Sequence, residues 1–322
     1  MLSPTISIVE VGPRDGLQNA PEILSFEQKK NFISYLLAKG FMNLEAGSFV
    51  RPDRIPSMSN SDQLARHFKK ESNHLWYLVP NQKGLETALA NGARQLAFFT
   101  AASDTFNQKN IGMTADESIV KIKTSLDWLR DQGYSIVTDW NQDLKDPTHD
   151  PRTLKLRLYI STVMGCPYEG VIAPQKTISL IEKLLPLGFS QVSLGDTIGV
   201  GVPGDWKILL KNCDSHWIQK NQLALHCHDT YGTALTCIAK GIELGIRTID
   251  SSIGGLGGCP FAPGASGNVA TEDVLYFLEK EGFSTGLAWR ELSDCFHAER
   301  TGNLTNLSKM SRIESCRSSQ KI

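Results

Sequence analysis

The sequence predicts an α/β protein built as a (β/α)8 TIM barrel with additional C-terminal helices. Two observations carry this prediction: eight short β-rich runs are spread along the 322 residues, and helical patterns fill the gaps between them. A doubly wound open sheet is the rival fold. It usually has fewer strands, and no GxGxxG turn follows the first run here. We expect a barrel domain over residues 1–285 and a helical extension packed on it over 286–322.

The predicted strands are short runs rich in apolar residues, bounded by polar residues or by turn residues. Each is followed by enough chain for the next helix or loop, which gives the repeating βα unit of a barrel. The eight runs are Thr5–Gly12, Phe41–Phe49, His74–Pro80, Gln95–Ser103, Leu156–Val163, Gln191–Thr197, Leu223–Asp229 and Thr248–Gly254.

Several helices are recognisable from their ends. Ser25 with Gln28, and Thr114 with Glu117, form capping-box pairs ahead of helical patterns. Pro174 stands at a first-turn position, where its missing N–H costs nothing. The three helices are predicted to end at glycines, namely Gly40, Gly133 and Gly188.

One segment, Tyr134–Thr153, interrupts this alternation because it is polar and contains proline. It lies between the fourth helix and the fifth strand. Loops of that kind lie on the face of a barrel that is away from the chemistry. We expect a surface insertion there, with a helical extension at its start.

Composition bounds the class of protein. Net charge is −1 and the basic residues are dispersed, which argues against a nucleic-acid or membrane partner. A strand-like run begins at about Thr5, so we expect no signal or transit peptide. The seven cysteines include no CxxC pair, which argues against a disulfide framework or a zinc knuckle and favours a cytoplasmic location.

A barrel gathers the polar residues at the carboxyl ends of its strands around one mouth. Strand runs normally exclude such residues unless the side chains are paired or functional. The polar or reactive residues at or after the predicted strand ends are Arg14, Asp15, Gln18, Glu45, Ser48, Ser193, Asp196, His226, His228, Asp229, Cys259 and Asn268.

The pair His226 and His228 is the strongest metal signal. Strand alternation places both imidazoles on one face, and a carboxylate such as Asp15 would complete a divalent site. Oxygen and imidazole ligands favour Mg²⁺ or Mn²⁺ over a structural zinc ion. The structural alternatives are two hydrogen-bonded core histidines, a turn-capping role for Asp15 and a helix-capping role for Asn268.

Charged residues near that pair point to catalysis. A guanidinium at Arg14 can stabilise charge that develops on a substrate oxygen, unless it serves only a structural ion pair. Glu45 and Asp196 are candidates to orient Arg14 or relay protons, or else to form an ion pair in the barrel floor. Cys259 lies in the glycine-rich stretch Gly254–Gly267, which can act as a lid carrying a proton-transferring thiol or be an inert loop.

Five segments resemble the 3-hydroxy-3-methylglutaryl-CoA lyase family of barrel metallolyases. They are VEVGPRDGLQN, GCPYEG, SLGDTIGVG, HCHDTYG and GLGGCPFAPGASGN. The resemblance extends from about Ile8 to Phe283, and the last segment is the most specific. It implies a metal-dependent retro-Claisen cleavage of a CoA thioester to acetyl-CoA and acetoacetate.

The resemblance also implies roles for single residues. The metal ligands would be Asp15, His226, His228 and Asn268. The catalytic residues would be Cys259, Arg14, Asp196, Glu45 and His226, and the substrate would meet Arg14, Gln18, Ser48 and Ser193. The oligomeric state stays open, with a homodimer among the candidates.

Three features depart from the family pattern: Thr162 stands where cysteine is frequent, Arg51 stands where serine is usual, and the insertion near 143–153 is atypical. Arg51 bears on acyl specificity because it follows the second strand. The alternatives are therefore a lyase for another branched 3-hydroxyglutaryl-CoA, or a related synthase of the isopropylmalate, citramalate or homocitrate type. A zinc hydrolase barrel would carry its HxH pair on the first strand, and a non-enzymatic binding module would not need this set of residues.

Overall fold

The computed structural model describes residues 5–142, 144, 150, 152–258 and 267–313. Its strands confirm all eight predicted runs and add three short ones. They are β1 (Ser7–Glu10), β2 (Leu44–Ser48), β3 (Leu75–Leu78), β4 (Gln95–Ala101), β5 (Ser135–Val137), β6 (Thr153–Ser161), β7 (Gly165–Cys166), β8 (Gly170–Val171), β9 (Gln191–Asp196), β10 (Leu223–Cys227) and β11 (Thr248–Ser251).

Eight parallel strands close into a barrel, in the order β1, β2, β3, β4, β6, β9, β10 and β11. The ring is closed because β11 pairs with β1 along four residues, from Ser7 opposite Thr248 to Glu10 opposite Ser251. The pairing of β4 with β6 runs over seven residues and skips β5. The predicted TIM barrel is therefore confirmed.

The helices surround this ring. Both predicted capping boxes are formed, and the three predicted terminal glycines have positive φ angles of 91°, 78° and 122°. The helices are α1 (Phe26–Ala38), α2 (Ser61–His67), α3 (Gln82–Ala90), α4 (Asp104–Ile111), α5 (Ala115–Asp131), α6 (Pro174–Leu184), α7 (Pro203–Ser215), α8 (Ala234–Glu243), α9 (Thr271–Lys280) and α10 (Ala298–Thr301). No helix among the described residues has the length and apolar character needed to span a membrane.

The insertion differs from its prediction. Its start is not helical: Ser135–Val137 adds a parallel strand beside Thr153–Lys155 at the beginning of β6. Trp140 then stacks on the buried Trp76, with ring centroids 5.5 Å apart and 17° between planes. Arg157 lies over the Trp140 ring as well. Residues 135–142 thus lie over the end of the barrel opposite to the mouth.

The C-terminal residues pack on the barrel through α1 and α9. They contain a 3-10 turn at Trp289–Cys295 and the short helix α10. Gln28 and Asn31 of α1 donate hydrogen bonds to the carbonyls of Ala298 and Glu299. The division of the chain at residue 285 stays a prediction.

Candidate active site

The first loop at the mouth carries an arginine and an aspartate. Gly12–Gly16 forms one π-helical turn directly after β1. A side chain at Gly16 would not fit, because a Cβ atom there would lie 2.8 Å from the Oγ of Ser252. This close packing holds Arg14 and Asp15 against the cavity at the mouth.

The two histidines at the end of β10 face this loop. The Nε2 atoms of His226 and His228 are 3.3 Å apart, and Oδ2 of Asp15 lies 4.0 Å from Nε2 of His226. One ligand atom from each of these three residues falls within 4.8 Å of the others. Asn268 donates from Nδ2 to Oδ2 of Asp15 over 2.8 Å. The structure therefore brings together all four residues predicted as metal ligands.

This donor set fits a divalent cation, because it combines a carboxylate oxygen, two imidazole nitrogens and an amide. Burial, with His226 alongside, lowers the pKa of His228 to about 4, so its ring is neutral. Burial opposes ionisation of Asp15, but Arg14 and the two imidazoles hold the pKa of that carboxyl well below its usual range. A neutral imidazole and an ionised carboxylate are the forms that bind metal.

Arg14 is fixed by two carboxylates. Its Nε and Nη2 donate to the same oxygen of Glu45, over 2.8 and 2.5 Å, and its Nη1 donates to Asp15 over 2.5 Å. Burial disfavours the charge, yet these two acids outweigh it and raise the pKa of Arg14. The guanidinium also lies over the Tyr159 ring, 5.5 Å from its centroid. The result is a rigid cation beside the metal ligands.

Sequence reasoning missed a second charged layer deeper in the barrel. Asp250 on β11 accepts from Nη2 of Arg157 over 2.5 Å, and its other oxygen accepts from Ser193 over 2.7 Å and meets Nδ1 of His226 at 3.3 Å. Arg157 also donates to Gln191. These residues are buried and come from four adjacent strands.

The alternation of polar and apolar residues along these strands would have identified the buried charged residues in the sequence. In "LKLRLYI", Arg157 and Tyr159 alternate with leucine and isoleucine, so both point to the interior. Asp250 occupies the same kind of position between Ile249 and Ser251. The predictions were based on polar residues at strand ends, whereas Arg157, Tyr159 and Asp250 lie within strands.

Asp196 faces away from the metal ligands. Its two oxygens accept from the backbone N–H groups of Val200 and Gly201, over 3.2 and 2.8 Å. Burial raises its pKa to about 6, against the lowering effect of these hydrogen bonds. Its neighbours Gly195 and Thr197 line the cavity, whereas Asp196 itself is not among the lining residues.

The remaining predicted residues divide into three groups. Gln18 and Ser48 line the cavity, as predicted for substrate contacts. Ser193 is instead committed to Asp250 beneath the metal ligands. Cys259 lies outside the described residues, and Gly258, which precedes it, is part of the cavity wall.

The cavity at the mouth has a volume of about 790 Å³. Three candidate metal ligands, Asp15, His226 and His228, lie on its wall, together with Arg14 and Tyr159. Three further basic residues line it: Arg51 and Arg54 after β2, and Lys109 on α4. The site can therefore hold a long anionic ligand with one end at the metal ligands.

The fold and this site define a barrel enzyme with a candidate metal centre at the carboxyl ends of its strands. The HMGL-like family model matches residues 5–297, and the chain belongs to this family.

Curated relatives agree over most of the chain. The mitochondrial hydroxymethylglutaryl-CoA lyase of Bos taurus is 41% identical over 288 residues, which cover 89% of this chain and 82% of that protein. The hydroxymethylglutaryl-CoA lyase of Pseudomonas mevalonii is 38% identical over 283 residues, which cover 88% of this chain and 87% of that protein.

Solved structures give the same result. The HMG-CoA lyase of Bacillus subtilis superposes with a TM-score of 0.86 at 36% identity, covering 98% of this chain and all of that one. The HMG-CoA lyase of Acinetobacter baumannii, solved with coenzyme A and 3-methylmalate, superposes with a TM-score of 0.79 at 31% identity, covering 96% and 94%.

Proposed function

We propose that this protein is a carbon–carbon lyase that cleaves 3-hydroxy-3-methylglutaryl-CoA to acetyl-CoA and acetoacetate. The observation that carries the proposal is the cluster of Arg14, Asp15, His226 and His228 on the wall of a cavity of about 790 Å³. Its support is the family membership and the similarity to lyases of that name over nine-tenths of the chain.

Asp15, His226, His228 and Asn268 would hold the divalent cation, for which Mg²⁺ and Mn²⁺ are the proposed ions. When bound, such an ion lowers the pKa of the substrate's tertiary hydroxyl and orients its oxygens. Asn268 now donates to Asp15, so rotation of its amide by 180° would turn its oxygen toward the cation. A hydrogen bond of the free site would thus be exchanged for a ligand bond.

The chain's own residues would then direct the bond cleavage. A base removes the hydroxyl proton, the C–C bond breaks, and its electron pair moves onto the acetyl thioester as an enolate. Arg14, held by Glu45, would stabilise the enolate oxygen with a charge already in place. Protonation of the enolate carbon then gives acetyl-CoA. We assign that proton transfer to Cys259, with Asp196 and His226 assisting.

The basic residues of the cavity would bind the other end of the substrate. Coenzyme A carries a diphosphate and a 3′-phosphate at the end of a long pantetheine arm. Arg54 and Lys109 line the same cavity as the metal ligands, which suits a ligand with a reactive end and an anionic end. The neighbouring Asn110 also lines it.

Arg51 favours one alternative, a lyase for another branched 3-hydroxyglutaryl-CoA. Its guanidinium is paired with the carboxylate of Asp53, over 3.0 and 2.6 Å, on the cavity rim. A charged pair at this position would interact with larger or more polar acyl groups differently from the serine that is usual in the family. We further propose a cytoplasmic location and a homodimer; light scattering of the purified protein tests the second.

One assay tests the proposed function. Purified protein is mixed with Mg²⁺, a thiol reductant and 3-hydroxy-3-methylglutaryl-CoA, and acetoacetate is measured. We expect turnover that a chelator abolishes. Absence of product with this ester, but cleavage of a longer branched ester, would favour the alternative lyase. Condensation of acetyl-CoA with a 2-keto acid would favour the synthase.

A variant of Cys259 completes the test. We expect Cys259→Ala to bind Mn²⁺ as the wild type does and to lose turnover by orders of magnitude, since it removes a proton-transferring thiol. Cys295→Ala is a matched control, because Cys295 is buried under α9 away from the cavity. Full activity of Cys259→Ala would contradict a catalytic role for the thiol.

A further inference from the structure

The second charged layer, formed by Asp250, Arg157, Ser193 and Gln191, contacts the candidate metal ligands through one hydrogen bond, between Asp250 and His226. Nδ1 of His226 lies 3.3 Å from Oδ2 of Asp250, whereas Nε2 of the same ring faces His228 and Asp15. The ring therefore bridges two environments, with its metal-facing nitrogen on one side and a buried carboxylate on the other. Only one of its nitrogens can present a lone pair to a cation.

Asp250 is held so that it can only accept. Its Oδ1 is paired with Arg157 at 2.5 Å, and both side chains are fully buried. Its Oδ2 accepts from Oγ of Ser193 over 2.7 Å. An ionised carboxylate has no proton to give, so Nδ1 of His226 must be the donor. The lone pair of the neutral ring is then on Nε2.

The anchor behind Asp250 is itself rigid. Arg157 donates from Nε to Gln191 over 3.0 Å and from Nη1 to the hydroxyl of Tyr159. Gln191 in turn donates to Thr248, two residues before Asp250 on the same strand. The donors of Arg157 and Gln191 thus have set partners, which fixes the Asp250 carboxylate in orientation.

We propose that Asp250 is a positioning residue for the candidate metal centre: by accepting from Nδ1 of His226, it fixes the ring orientation and the tautomer that presents Nε2 to the cation. Carboxylates behind metal-bound histidines do this in other proteins, and their loss typically weakens metal binding about 10- to 100-fold. The inference rests on the metal centre of the proposed function and not on the identity of the acyl group.

Asp250→Asn is the sharpest test, because an amide has one acceptor and one donor. Arg157 will keep the amide oxygen, so the NH₂ group must turn toward His226 and Ser193. The Nδ1 atom then has to accept, the proton moves to Nε2, and the metal-facing lone pair is lost. A comparable exchange of aspartate for asparagine inactivates serine proteases through the wrong histidine tautomer.

The experiment combines a spectroscopic and a binding measurement on the full chain. Nitrogen-15 shifts of the histidine rings, assigned with His226→Gln, report whether Nδ1 of His226 is protonated. Mn²⁺ titration followed by electron paramagnetic resonance gives the dissociation constant. We expect a protonated Nδ1 in the wild type, an unprotonated Nδ1 in Asp250→Asn, and a dissociation constant raised about 10- to 100-fold in that variant.

Asp273→Asn is the matched control, since Asp273 is a buried carboxylate that accepts from Ser308, Lys309 and Met310 on the other side of the barrel wall. We expect it to keep wild-type Mn²⁺ affinity. If Asp250→Asn fails to fold, the nitrogen-15 shifts of the wild type still decide which nitrogen of His226 carries the proton.

Each outcome decides the assignment. An unprotonated Nδ1 in the wild type would overturn it, whatever the variants do. Wild-type Mn²⁺ affinity in a folded Asp250→Asn protein would overturn it as well, and so would a wild type that binds no Mn²⁺. A protein that binds Mn²⁺ but yields no acetoacetate would contradict only the proposed cleavage.

Discussion

Two groups of carboxylates lie on opposite faces of the barrel wall, and they are compensated differently. The inner group is Glu45 and Asp250, which are buried, with Asp15, whose side chain is 23% exposed. It is paired with Arg14, Arg157 and the two site histidines. The outer group, Glu10, Glu272 and Asp273, lies between the barrel, α9 and the C-terminal segment.

The outer group has only neutral donors among the described residues. Glu10 accepts from the backbone of Gly12 and Ile253 and from Thr271. Glu272 accepts from the backbone of Gly254 and from side chains of the C-terminal segment. Burial without a cation raises the pKa of Glu10 to about 8 and that of Glu272 to about 7.

The contrast shows that burial alone does not decide the charge of a carboxyl group. With an arginine in contact, Asp15 and Asp250 have pKa values below the usual range, so their charge is kept, whereas burial raises the pKa of Glu45 despite its contact with Arg14. Without one, Glu10 and Glu272 tend to be neutral, and they hold Ile253 and Gly254 at the base of the glycine-rich loop. The proposed role of the inner group is in the chemistry, whereas the outer group accepts hydrogen bonds from the backbone at the start of a loop.

The largest effect on activity is expected when an ion pair of the inner group is broken. Arg14→Lys keeps a positive charge but loses the fork that binds Glu45 through Nε and Nη2. We expect kcat to fall roughly 10²- to 10³-fold, as for removal of one fixed donor at a developing oxyanion. Steady-state kinetics with the CoA ester measures this. Arg66→Lys, at an exposed pair with Asp62, is the control and should keep full activity. Retention of most activity by Arg14→Lys would remove Arg14 from the chemistry.

Asp196 combines features of both groups. Like the outer carboxylates it is buried and accepts from neutral donors, but it lies next to the mouth of the barrel. Burial raises its pKa to about 6, and its hydrogen-bond donors among the described residues are backbone N–H groups. A base must be ionised to act, so kcat should fall about tenfold per pH unit below pH ~6. Asp196→Asn should lose roughly 10²-fold in kcat at pH 8. The pH profiles of both proteins test this. A variant with undiminished kcat would exclude Asp196 as a base.

The next prediction concerns the pH dependence of the unfolding free energy and Glu272 of the outer group. Folded Glu272 has a pKa of about 7, against an ordinary value of 4.5, so between these pH values the folded state binds the extra proton. Its stabilising contribution is complete below pH 4.5 and is lost as pH rises through 7. Glu272→Gln cannot titrate. From pH 5.5 to 7.5 the wild type should therefore lose about 2 kcal/mol more unfolding free energy than the variant does.

Urea unfolding at the two pH values measures that difference. Glu281→Gln, exposed just beyond α9, is the control and should follow the wild type. Parallel slopes for wild type and Glu272→Gln would mean that Glu272 is ionised in the folded protein.

These results also separate what the sequence reveals from what it does not. The barrel and part of the ligand cluster were predictable because several strands are apolar runs that end in unusual polar residues, as in His226 and His228. Position after a strand end placed Asp15 near these histidines, whereas Asn268 was assigned as a ligand from the family resemblance. No contact information was needed for that step.

The rest depends on pairings between distant segments. Asp250 and Arg157 become neighbours only when the ring closes, so neither looks functional in isolation. Strand β5 has three residues and pairs with a segment 18 positions later, which no periodicity reveals. Glu10 and Glu272 likewise read as ordinary polar positions until Ile253 and Gly254 are seen to donate to them.

The smallest effect is expected at the exposed edge of the outer group. Lys309 reaches Oδ2 of Asp229 at 3.5 Å, and its side chain is 62% exposed. A screened surface pair of this kind contributes little, so Lys309→Met should change the unfolding free energy by no more than about 0.5 kcal/mol. The backbone N–H of Lys309 still donates to Asp273 in that variant. A loss of several kcal/mol in urea unfolding would mean that charge, and not neutral hydrogen bonding, holds the C-terminal segment against the barrel.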